Sequence, residues 1–186
     1  MEQGSPFWRF SLRFYRQPGV ADACIALQDG CGVDVNILLF FLWLATARRC
    51  VPPATAEQVC TKAAPWRDDV VVPLRTLRRR LKDGSSLVER GAADVFRTRI
   101  KAVELESERL QQESLYALAA GLTTQDAPTV EAAARANVAA YEQASGRDFA
   151  PSAVEALLRA LLADQSVYDG SSASETHHRP RPRRGP

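Results

Sequence analysis

The chain has 186 residues, of which 46% are hydrophobic and 25% are charged, and its formal net charge is +2. These values are typical of one soluble globular domain, and they argue against extensive disorder and against a strong overall attraction to nucleic acid or anionic lipid. The N-terminus lacks the pattern of an export signal, and the longest apolar run, residues 37–47, is too short to span a bilayer. A cytoplasmic location is therefore predicted.

Three helices are predicted in the first 49 residues. Ser5 and Pro6 have the residue types of an N-cap and a first helical position, and this helix ends at Pro18 and Gly19. A second helix is predicted over 20–29 and ends at a glycine pair. Asp34 is predicted to cap a third helix over 35–49, which contains the apolar run and should be buried on nearly every side.

Further helices are predicted over 55–63, 92–120, 128–144 and 151–164. Between the first two of these, Pro65 and Trp66 are expected to break the chain. A helix capped by Asp68 or Asp69, kinked at Pro73 and running to Lys82, should then follow, because the three valines that could form a strand have no visible partner strand. In the long helix 92–120, Phe96, Ile100, Val103 and Leu110 lie near one apolar face.

These elements predict an all-α protein with one domain of about seven helices over residues 5–164. Residues 165–186 are rich in Ser, Pro and Arg, and we expect them to form a disordered basic tail.

Catalytic chemistry finds little support in the sequence. His177 and His178 both lie in the predicted tail, so no scaffold holds an imidazole for catalysis or metal binding. The four cysteines form no C-x-x-C pair, which favours buried reduced thiols, with Cys31 in a glycine loop as the best candidate for a reactive one. We therefore expect no catalytic residue, cofactor or metal site, and the sequence favours a protein that is not an enzyme. The four cysteines are Cys24, Cys31, Cys50 and Cys60.

Charge is divided between two parts of the chain. Residues 51–101 carry net +5 and residues 102–164 carry net −6. Arg75, Arg78, Arg79 and Lys82 share one helix face, and two interpretations remain open. The face could bind an acidic partner or phosphate, or its arginines could pair with the acidic second half. The carboxylates of Glu104, Glu106, Glu108 and Glu113 are predicted to form a solvated helix face.

Two groups of residues could line a pocket. Trp8, Trp43 and Trp66 are most simply core anchors, although an apolar pocket between helices would also use them. The loop residues Asp29, Asp34 and Asn36 lack the spacing of a calcium loop, and capping explains Asp34. If the chain were an enzyme, its plausible carboxylates would be Asp29, Asp34, Asp68 and Asp69.

The N-terminal part resembles a known family. The resemblance rests on the segments FWRFSLRFY over 7–15, PGV over 18–20, CIALQD over 24–29, GVDVNILLF over 32–40 with Trp43, and Trp66 with VPLRTLRRRLK over 72–82. Together they resemble the uncharacterised proteobacterial family called domain of unknown function 2390. The resemblance covers residues 7–82 well, and residues 92–164 only in helical character. It implies a bacterial cytosolic protein and brings no activity, cofactor or site.

The sequence favours a non-enzymatic module that binds another macromolecule, most simply a protein. One alternative is weak nucleic-acid binding by Arg75–Lys82 and the basic tail, and another is an apolar-ligand binder or enzyme. The oligomeric state and the identity of the partner stay open.

Overall fold

The structure is a computed structural model that describes residues 4–84 and 87–173, with side chains described up to residue 164. It is all-α, as predicted. Within the described residues there are eight α-helices, and the two consecutive helices α4 and α5 join into one helical rod. The helices are α1 (Pro6–Tyr15), α2 (Val20–Cys31), α3 (Val35–Thr46), α4 (Pro53–Trp66), α5 (Val72–Arg80), α6 (Arg90–Leu118), α7 (Val130–Ser145) and α8 (Pro151–Ala173).

The expected break at Pro65 and Trp66 is wrong. Pro65 lies inside α4, and a π-helical turn, Arg67–Val71, carries the chain without interruption into α5. Because proline lacks an N–H, it removes one donor, and a wider turn is a common way for a helix to continue past such a defect. Asp68 and Asp69 lie within this turn and cap no helix start. A short 3₁₀ turn, Leu81–Asp83, then ends the rod.

The third helix is shorter than predicted, and the chain contains a small sheet that the sequence did not suggest. After α3 ends at Thr46, Arg48 adopts a positive φ of 56°, and Arg49–Cys50 forms strand β1. This strand pairs antiparallel with β2 (Gln125–Asp126), with Arg49 opposite Asp126. The sheet joins the end of α3 to the loop that precedes α7.

The buried core is centred on α3, whose residues from Asn36 to Leu42 are all buried. Asp34 caps this helix as predicted, because its side chain accepts a hydrogen bond from the Asn36 N–H. Phe7 and Phe40 meet edge to face, and Phe41 meets Tyr141 of α7 in the same way. No described helix is long and apolar enough to cross a membrane.

The last helix is longer than predicted. We expected the last helix to end near residue 164, whereas α8 continues to Ala173. The rest of the predicted tail, residues 174–186 with His177 and His178, lies outside the described residues.

Candidate functional site

Helix α6 has a polar buried side, which determines the candidate site. Glu104, Ser107, Gln111 and Gln112 are all at most 5% exposed. In a typical amphipathic helix the apolar side faces the core, so this arrangement is unusual and needs a partner for every buried polar group. Most partners come from the start of α3 and from α4 and α5. The Ser107 Oγ donates to the backbone oxygen of Glu104 within α6, and Gln112 Oε1 is buried without a partner among the described residues.

Asp34, Asn36, Gln111 and Gln112 form a hydrogen-bonded group that we call the polar seam. The Gln111 Nε2 donates to Asp34 Oδ2 at 2.7 Å, and the Asn36 Nδ2 donates to Gln111 Oε1 at 2.8 Å. The Gln112 Nε2 donates to Asn36 Oδ1 at 2.8 Å. Burial raises the pKa of Asp34, while the hydrogen bond from Gln111 opposes that rise. The seam therefore fixes α6 against the start of α3.

Farther toward the start of α6, two arginines of α5 pair with two glutamates. The Arg75 Nε donates to Glu104 Oε1 at 3.2 Å, and its Nη2 donates to Glu108 Oε1 at 2.6 Å. Arg78 also donates to both oxygens of Glu104, from Nη2 at 3.1 Å and from Nε. The predicted solvated face is thus wrong for Glu104, which is 5% exposed. Arg75 and Arg78, two of the four residues of the predicted basic face, thus pair with carboxylates of the same domain.

Because its polar side is buried, α6 presents apolar side chains to solvent. Phe96 is 48% exposed, Val103 is 52% exposed and Leu110 is 42% exposed. These three residues are spaced by seven and lie along one line of the helix; we call them the α6 stripe. The prediction that they lie near one face is confirmed, but that face is open to solvent, and Ile100 is only partly buried beside it.

A groove lies between α4 and α6 at the C-terminal end of the stripe. Its volume is about 570 Å³, within the range of small-molecule pockets. Trp66 lies in its wall, and its indole Nε1 donates to the backbone oxygen of Ser107 at 3.0 Å. Gln111 of the polar seam also borders it. The remaining lining residues are Lys62, Ala63, Leu110, Glu113, Ser114, Leu115, Ala117 and Leu118.

The structure brings few of the predicted pocket residues together. Of Trp8, Trp43 and Trp66, Trp66 alone lines the groove. Trp8 is 8% exposed at the start of α1, and the Trp43 ring stacks on Phe40 and contacts the rings of Phe7 and Tyr116 at a tilt. Asp34 and Asn36 reach the groove indirectly, through Gln111. Asp29 is exposed and pairs with Arg79 at 2.7 Å, which lowers its pKa.

Two members of the predicted basic face remain at the surface. Arg79 pairs with the exposed Asp29, and Lys82 is exposed in the 3₁₀ turn. Their role in binding is still a prediction. Sequence reasoning missed Lys62, Leu110 and Gln111 as groove residues, and Glu104 and Glu108 as partners of the arginines. No sequence pattern marks the groove residues. The opposite net charges of residues 51–101 and 102–164 indicate ion pairing between these two parts, but not which carboxylates take part.

No chemical centre is apparent in the described part of the chain. There, no group of three or more His, Cys, Asp or Glu side chains is placed to hold a metal ion. The four cysteines are free, and burial raises the pKa of Cys24 to about 12 and that of Cys60 to about 11. Asp68 pairs with its neighbour Arg67 at the surface. Of the carboxylates considered for an enzyme, Asp34 thus caps α3, and Asp29 and Asp68 pair with arginines.

The fold and site define an all-α domain with a buried polar seam and an exposed apolar helix stripe. The family model described as "Protein of unknown function (DUF2390)" matches residues 6–115, more than half of the chain, so the chain belongs to this family. The match includes α1 to α5 and most of α6, and therefore both the seam and the stripe. No curated protein and no solved structure matches the chain significantly.

Proposed function

We propose that this protein is a non-enzymatic binding module whose partner is a polypeptide and whose contact surface is the α6 stripe. The observation that carries this proposal is that Phe96, Val103 and Leu110 are each about half exposed on one line of a 29-residue helix. Monomeric soluble proteins rarely leave contiguous apolar surface open, and where they do, it commonly marks an interaction site. A stripe with seven-residue spacing suits another helix, which would present a similar line of apolar side chains.

The ion pairs beneath the stripe support the same proposal. Arg75 and Arg78 satisfy Glu104 and Glu108 on the inner side of α6. The polar groups on that side thus hold α6 in place and keep its apolar line turned outward.

The experiment is photo-crosslinking in native host cells. The photo-reactive amino acid p-benzoyl-phenylalanine replaces Val103 in the full chain, and a control chain carries it at Ala139, an exposed residue of α7. We expect one reproducible polypeptide adduct from position 103, whose crosslinked peptide is amphipathic and helical, and none from position 139. Equal labelling at both positions, or no adduct at 103, would contradict the proposal.

A second candidate function is the binding of a small apolar ligand in the α4–α6 groove. Its volume of about 570 Å³ and the wall formed by Trp66 and Leu110 favour this candidate. Native mass spectrometry of protein purified from the native host tests it directly. A reproducible small added mass that disappears in Leu110→Trp, which fills the groove, would support ligand binding, and a clean protein mass would oppose it.

Carboxylates of the domain already pair with three of the four residues of the predicted basic face, which weakens the nucleic-acid alternative. Arg75 and Arg78 pair with Glu104, Arg79 pairs with the exposed Asp29, and Lys82 is exposed. Phosphate contacts through so few cations would give weak binding that falls steeply with salt. The geometry thus favours a protein partner over a nucleic acid.

A further inference from the structure

From the arrangement of charges beside the stripe, we infer that the partner of α6 is α6 of a second copy of this chain, packed antiparallel about a two-fold axis at Val103. This inference rests on the proposed function and names its partner. It needs a surface that is complementary to itself, since a two-fold interface places the same patch on both subunits.

The apolar residues satisfy this condition. Phe96 lies seven residues before Val103, and Leu110 lies seven residues after it. In an antiparallel pair centred on Val103, the two Val103 side chains meet, and Phe96 of each copy faces the partner's Leu110. The contact line from Phe96 to Leu110 spans fourteen helical steps, about 21 Å along the helix axis. Seven-residue spacing makes two such helices cross at about 20° in a left-handed sense.

The charges satisfy the condition independently. Arg99 and Glu106 lie on the same flank of the stripe, separated by one heptad, and both are exposed. Arg99 precedes Val103 by four residues and Glu106 follows it by three. The two-fold axis therefore places Arg99 of one copy within one residue, along the helix axis, of Glu106 of the other copy. The same axis brings the flank of the stripe that carries these residues in one copy against the same flank of the other copy. Arg99 of each copy therefore faces the partner's Glu106, and two ion pairs form.

The charges also select the direction of packing. In a parallel pair the flank that carries Arg99 and Glu106 would meet the opposite flank of the partner, which carries the partly buried Ile100 and the buried Ser107. No opposite charge would then face Arg99. The antiparallel arrangement is therefore the one that uses both the apolar and the charged residues. Glu106 also pairs with Arg109 of its own helix at 2.7 Å, so in the dimer its carboxylate would lie between Arg109 and the partner's Arg99.

Sedimentation equilibrium of the full chain at low ionic strength tests the inference. We expect the wild type to form a dimer. Arg99→Glu or Glu106→Arg places like charges opposite each other twice per dimer, and each should weaken dimerisation about tenfold. The double variant restores both pairs with reversed signs and should return to within about threefold of wild type. Lys101→Glu is the matched control, because it makes the same charge change on the opposite side of α6 and should leave dimerisation unchanged.

Several results would overturn self-association. They are a wild type that stays monomeric at the highest attainable concentration, a double variant as weak as the single ones, or Lys101→Glu as damaging as Arg99→Glu. In any of these cases the crosslinking experiment at Val103 still tests the proposed function independently. An adduct with a different polypeptide would keep the binding surface and remove the second copy, whereas no adduct would remove both.

Discussion

Gln111 of α6 and Asp34 at the start of α3 are 77 positions apart in the chain, and the Gln111 Nε2 donates to Asp34 Oδ2 at 2.7 Å. Asp34 uses its other oxygen, Oδ1, to cap α3 through the Asn36 N–H. One buried carboxylate thus caps the first turn of α3 and fixes the rotation of α6 about its own axis. Because that rotation turns the stripe toward solvent, the seam is a cause of the exposed surface.

Replacing Glu104 by Ala should destabilise the domain strongly. The variant leaves the guanidinium groups of Arg75 and Arg78, which are 17% and 23% exposed, without their common carboxylate. Loss of one partner from a largely buried ion pair costs about 3 kcal/mol in the free energy of unfolding. Urea denaturation measures this loss. Glu155→Ala, which breaks an exposed ion pair with Arg135 away from the α6 stripe, is the control and should keep the wild-type midpoint.

Asn137 should be as important for the other half of the domain. Its Oδ1 accepts from the Val51 N–H at 2.7 Å, and its Nδ2 donates to the backbone oxygens of Phe41 and Arg49 at 3.0 and 2.9 Å. Asn137→Ala removes three hydrogen bonds to buried or partly buried backbone groups, so we expect a loss of about 3 kcal/mol. Gln143→Ala, at an exposed position of α7, should change stability little. Equal effects of the two substitutions on the urea midpoint would refute this role.

The buried carboxyl group of Asp34 should make the stability of the domain depend on pH. Since burial raises its pKa above the value in the unfolded chain, the folded state binds this proton more tightly. The wild type should therefore gain stability relative to Asp34→Asn as the pH falls from 7 toward about 4, and lose that gain as the pH rises again. Unfolding midpoints of both proteins across this range test the sign. A difference that stays constant with pH would show that Asp34 does not titrate in this way.

The cysteines should differ in reactivity according to their burial. Cys24 is 0% exposed and burial raises its pKa to about 12, so the native protein should resist alkylation there. Cys31 and Cys50 are partly exposed and should react first. Mass spectrometry after iodoacetamide treatment at pH 8, with and without urea, gives the order. Labelling of Cys24 as fast as Cys31 in the native protein would contradict the described packing.

Helix starts were the most predictable part of the fold, because a cap is a local feature. Ser5 and Asp34 cap α1 and α3 as expected, and each side chain accepts from an N–H within three residues. The continuation past Pro65 could not be read locally, since it depends on the π-helical turn and on Trp66 anchoring to Ser107. Likewise, each strand of the small sheet has two residues, too few for a pattern of alternation.

The candidate site was harder to predict because the rotation of α6 depends on distant partners. By periodicity alone, Phe96, Val103 and Leu110 form an ordinary apolar face, and Glu104 and Glu108 form an ordinary solvated one. Arg75 and Arg78, about 30 residues earlier in the chain, reverse that assignment for Glu104. The charge imbalance between the two parts of the chain indicated such pairing, although it could not say which carboxylates take part.

We expect the α6 stripe to act as a contact surface and to contribute little to the core. The double variant Val103→Ser, Leu110→Ser separates these two roles. Since the two side chains are 52% and 42% exposed, its urea midpoint should stay close to that of wild type when both are measured at a protein concentration at which the wild type is monomeric. Sedimentation equilibrium at a higher concentration, at which the wild type is dimeric, should find the variant monomeric. A variant that unfolds at much lower urea than the monomeric wild type, or one that still forms the dimer, would refute this role of the stripe.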